Sequence, residues 1–104
     1  MEIEVRKQDQ KFIFLYEFAG TAFLLYAINV SHGNPVAVVF SIMAIVLVAG
    51  PITGAHLNPA VSTACLISHS DPVGAFPSYV SMVIAEITGG LFGVFLAFLS
   101  LTTT

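Results

Sequence analysis

The chain has 104 residues, of which 57% are hydrophobic and 9% charged, with a formal net charge of −3 and a strongly positive mean hydropathy. That balance lies far from a water-soluble domain and points to a membrane protein. A nucleic-acid footprint is excluded, because Arg6, Lys7 and Lys11 are the only basic residues besides histidine and form no stripe. The single cysteine, Cys65, rules out an internal disulfide and stands in no zinc-type spacing with the histidines.

Residues 1–11 form a polar segment that mixes Glu2, Glu4 and Asp9 with all three bases. Because no lysine or arginine follows Lys11, the positive-inside rule places the amino terminus in the cytoplasm. The apolar run over 12–30 has about the 20 residues that a helix needs to cross a bilayer. It carries no small-residue cleavage site, so it is expected to be a retained span and not a removed signal.

Ser31-His32-Gly33-Asn34-Pro35 is a cluster of turn formers and gives a short outer loop. The next apolar run, about 36–50, is short for a crossing and is expected to be interrupted by Gly50-Pro51. After it, residues 52–68 read as a loop followed by an apolar helix of half a membrane thickness, which cannot cross the bilayer unaided. Ser68-His69-Ser70-Asp71-Pro72 is turn-prone, and a third crossing is expected over about 77–101. Ala85, Gly89 and Gly93 recur every fourth residue on this last helix. Such a stripe favours close helix packing, expected within one subunit in preference to an oligomer interface.

The chemistry concentrates at Asn58-Pro59-Ala60. Irregular backbone inside a bilayer is tolerated only where it is buried in protein or lines a wet cavity, so this interruption implies a re-entrant loop beside water. Pro59 suits the first helical position, and Asn58 can cap the helix while its amide remains free to donate to a passing solute. The partial positive end of the short helix opposes cations, protons included. Ahead of it, the carbonyl oxygens of Gly54, Ala55 and His56 have no helical partners and are the expected acceptors for a file of solute molecules.

Gly54-Ala55-His56-Leu57-Asn58-Pro59-Ala60-Val61 resembles the first signature box of the aquaporin and aquaglyceroporin (major intrinsic protein) family. Glu17-Phe18-Ala19-Gly20-Thr21 is similar to the stretch near the start of that family's first crossing, so the resemblance covers about 12–101. It implies an all-α membrane protein built as an aquaporin-like half-repeat, with three transmembrane helices and one re-entrant half-helix. In that family two inverted repeats meet to form one pore, and this chain resembles the amino-terminal repeat alone. The second box and the arginine that follows it have no counterpart in these residues. The implied partners are water or a small neutral solute such as glycerol, membrane lipid, a second aquaporin-like repeat and three further copies in a homotetramer. No cofactor, bound metal or catalysed reaction is expected.

The resemblance suggests that Glu17 braces the re-entrant loop, the alternative being a position near the cytoplasmic headgroups. Glu86 stands where the family usually has glutamine; it either plays a glutamine-like part or opens a proton pathway. The resemblance puts His56 at the cytoplasmic vestibule, as a fixed hydrogen-bonding group or as a gate. An ungapped comparison puts Val38 at the outer constriction, where a small side chain argues against sizing for water alone. His32 and His69 receive no role. The expected activity is passive conduction; the alternatives are a non-conducting structural subunit of a membrane complex and a proton-coupled transporter working through Glu86.

Overall fold

The computed structural model describes residues 10–103. Most of the segment assigned to the cytoplasm, 1–11, including Arg6 and Lys7, lies outside the described residues. The described chain forms four helices, α1 (Gln10–Val30), α2 (Pro35–Thr53), α3 (Pro59–Ser68) and α4 (Pro72–Thr102). Three of them, α1, α2 and α4, are long and apolar enough to cross a membrane, and α3 is a short apolar helix. The expected fold class, three spanning helices and one half-length helix, is therefore the observed one.

Each of the later helices opens on the same local chemistry. Asn34, Asn58 and Asp71 are N-caps whose side-chain oxygens accept from backbone N–H groups two or three residues on, and each is followed by proline at the first helical position. Proline costs nothing there, because that position has no intrahelical N–H bond to lose. The Asp71-Pro72 pair starts α4 about five residues before the expected beginning of the third crossing. Pro77 then sits inside the helix, where it removes one N–H bond without ending it.

The expected break at Gly50-Pro51 does not occur. Pro51 falls in the last turn of α2, so only one carbonyl from the preceding turn loses its donor. The helix ends at Gly54 instead, which takes a left-handed φ of 87° and closes the turn with an N–H bond to Gly50 O at 2.9 Å. This is the position at which glycine is needed to stop a helix.

Two long-range hydrogen bonds fix how α1 and α4 run. Gln10 Nε2 donates to Ser78 Oγ at 2.7 Å near the start of both helices, and Tyr26 OH meets Ser100 Oγ at 3.1 Å near their ends. The two helices are therefore side by side and parallel. Ala85, Gly89 and Gly93 form the buried face of α4 together with Ala97. A Cβ added at Gly89 would run into the carbonyl oxygen of Phe18, and one added at Gly93 into that of Ala22. The small-residue stripe thus serves backbone contact within the chain, α4 against α1.

The core is thin. Ile45 and Ala49 of α2 pack on Leu57 of the loop, with Tyr16, Leu24 and Ala55 around them. Large side chains such as Leu47, Leu91 and Phe98 are well exposed, as expected where hydrocarbon and not water is the solvent. α3 leans on α4: Ser62 reaches Glu86 and the next residue, Thr63, meets Tyr79, so α3 advances toward the start of α4. It therefore begins partway along α1 and α4 and returns to the end at which both begin.

Candidate functional site

Residues 54–58 join α2 to α3 in a conformation that the chain would not choose unaided. Besides Gly54, both Ala55 (φ 50°) and Leu57 (φ 59°) lie in the left-handed region. For residues with a Cβ this costs about 1–2 kcal/mol each and persists only when the surroundings impose it.

Glu17 supplies much of that imposition. Its Oε1 accepts the Leu57 N–H at 3.0 Å, and its Oε2 accepts the Thr53 hydroxyl at 2.6 Å. Thr53 Oγ1 in turn accepts the Ala55 N–H at 3.0 Å. One fully buried carboxyl from α1 thereby holds both left-handed residues, one directly and one through a hydroxyl. Each such hydrogen bond contributes about 0.5–1.5 kcal/mol and would leave a buried N–H unsatisfied if lost, which offsets the backbone strain.

The loop's polar groups differ in what they bond. His56 points inward, where its Nδ1 lies 2.9 Å from Ser62 Oγ, and Ser62 donates its proton to Glu86 Oε2 at 2.7 Å. Asn58 is exposed; its Oδ1 caps α3 by accepting the Ala60 N–H at 2.8 Å, while its Nδ2 has no partner among the described residues. The carbonyl oxygens of Gly54, Ala55 and His56 likewise accept no hydrogen bond among the described residues. Gly54 and Ala60 are exposed, and Pro59 is half-buried at the first turn of α3.

The structure thus gathers Gly54, Ala55, His56, Asn58, Pro59 and Ala60 into one short stretch and ties Glu17 to it. Val38 stands apart, half-buried one turn into α2, its N–H bonded to Asn34 O in its own first turn. Beside the loop lies an open cavity of ≈ 700 Å³ whose walls include His56, Ser62, Cys65, His69 and Asp71. Sequence reasoning left out Thr53 and Ser62. Thr53 directly precedes the signature stretch and carries the only hydroxyl between α2 and the loop, a usable signal. Ser62 had none, because its role depends on Glu86 lying across from it.

No protein-family model matches the chain, and no solved structure matches it significantly. Among curated proteins, it is 31% identical over 80 residues to a Toxoplasma gondii protein named Aquaglyceroporin, covering 77% of this chain and 30% of that protein. It is 33% identical over 78 residues to Aquaporin NIP3-1 of Arabidopsis thaliana, covering 62% of this chain and 24% of that protein. The chain therefore spans less than a third of the length of either relative.

Proposed function

Because the chain is related to the aquaporin and aquaglyceroporin family, we propose that it forms one wall of a passive transmembrane channel for water and small neutral solutes, glycerol among them. The observation that carries this reading is the loop 54–58: three carbonyl oxygens and the Asn58 amide lack partners among the described residues. Such groups are costly in hydrocarbon and cheap beside water, so a file of solute molecules is their natural complement. Solute would pass by exchanging its hydration for the carbonyls of Gly54, Ala55 and His56 and the Nδ2 of Asn58. Pro59 and Ala60 keep the first turn of α3 narrow, and Val38 borders the outer approach. No bond is made or broken, so the chain is a conduit and not an enzyme.

A conduit needs a second wall. The working unit in this reading includes a second aquaporin-like repeat facing Asn58, embedded in lipid and assembled as a homotetramer with the amino terminus in the cytoplasm. The positive end of α3, aimed at the route, disfavours cations and leaves neutral solutes unaffected.

Stopped-flow light scattering on proteoliposomes tests the proposal. With a second repeat present, osmotic water flux should exceed that of empty liposomes, and Asn58→Asp should depress it without altering the helical content. Flux that acidifies or alkalinises the lumen stoichiometrically would replace the channel by a proton-coupled transporter. Absence of flux with both repeats assembled would leave a structural subunit.

A further inference from the structure

Glu17, His56 and Glu86 come from α1, the loop and α4, separated widely in sequence, yet each offers a ligand atom within 4.8 Å of the others. Glu17 is 0% and Glu86 2% exposed, and His56 is half-buried. Counting protons shows what the cluster lacks. Ser62 has one hydroxyl proton and gives it to Glu86 Oε2, so toward His56 it can only accept. His56 therefore donates from Nδ1, and the neutral ring keeps its free lone pair on Nε2. Glu86 Oε1 is buried and accepts no N–H or hydroxyl hydrogen bond among the described residues. The Glu17 oxygens each accept one hydrogen bond and retain a second lone pair.

With both carboxyls ionised, acceptors thus converge from three elements with no donor among them. No lysine or arginine follows Lys11, so α2, the loop, α3 and α4 bring no basic side chain but histidine. We propose that Glu17, His56 and Glu86 form a binding site for one divalent transition-metal ion of the zinc class. Two carboxylates and an imidazole are a donor set that such ions take, and a charge of +2 balances both acids where a single proton balances one. The chain His56 Nδ1–Ser62–Glu86 is the outer support that orients a ligating imidazole. His56 and Ser62 also line the ≈ 700 Å³ cavity, which carries Cys65, His69 and Asp71 and gives an ion its way in. The ion would pin the strained loop to α1 and α4 at once. Spacing along the sequence could not reveal the site, because its ligands share no helix. It stands independently of conduction, since occupancy is measured without flux.

The full chain, purified in detergent, stripped with chelator and dialysed against zinc, is analysed by inductively coupled plasma mass spectrometry. The expected result is about one zinc per chain, with affinity lowered at least about tenfold in Glu86→Gln and in His56→Gln but unchanged in Cys65→Ser. Circular dichroism checks that each variant keeps its helices. A wild-type chain that retains no zinc overturns the proposal whatever the variants do, as does zinc that survives both substitutions. So does a carboxylic-acid C=O infrared band that persists at saturating zinc and vanishes in Glu86→Gln, which would show a shared proton in place of the metal.

Discussion

Glu17 accepts from two donors at once, and that arithmetic sets what its replacement costs. Glutamine has a single side-chain oxygen, so Glu17→Gln either strips the Leu57 N–H of its acceptor or leaves Thr53 Oγ1 only the longer bond to Ala49 O at 3.3 Å. The expected loss is about 1–3 kcal/mol, read as a lower midpoint in thermal unfolding followed by circular dichroism, the chain having no tryptophan to report. Asn58→Ala removes only the bond to the Ala60 N–H and should cost about 1 kcal/mol. Its larger effect should be on flux, so the two variants separate bracing from lining. An acid in an apolar run left two readings, inward and hydrogen-bonded or near the headgroups, and its full burial against Thr53 and Leu57 gives the first. Its partners were not legible, since a sequence does not state that α1 passes beside residues 53–57.

Helices were legible where caps or length spoke, and misread where proline was taken as a boundary, Pro51 as a break and Pro77 as the start of a crossing. Pro51 and Pro77 both lie inside helices, one in the last turn of α2 and one early in α4, where the remaining ladder carries the lost bond. The glycines of α4 show the same dependence on context. Gly93 meets the backbone of Ala22, whereas a Cβ at Gly90 would find only side-chain atoms, Thr21 Cγ2 at 3.6 Å being the nearest. Gly93→Ala should therefore push α4 off α1 and cost more than about 1 kcal/mol, because backbone cannot step aside as a side chain can. Gly90→Ala should be neutral or stabilise by up to about 1 kcal/mol through helix propensity. Paired melting curves read both. An equal loss in the two would mean that the helices are not in backbone contact at Gly93.

At the scale of the whole molecule, exposed surface has two characters that solvent accessibility alone does not tell apart. Leu91 on α4 and Ala60 on α3 are both exposed, but one lies among phenylalanines and leucines and the other beside free carbonyls and the Asn58 amide. If the loop side faces water and the α4 side faces lipid, a thiol at each place must behave differently toward a polar reagent. Thiolates form in water and not in hydrocarbon, and only the thiolate attacks a maleimide. In a Cys65→Ser background, which removes the chain's one exposed cysteine, Ala60→Cys should be labelled by a membrane-impermeant maleimide and Leu91→Cys should stay silent until detergent is added. Labelling of Ala60→Cys should fall when a second repeat is assembled and a bulky solute occupies the route. Equal silence at both positions in the assembled protein would put the loop in lipid, and its unpaired carbonyls would then have no physical reason to persist.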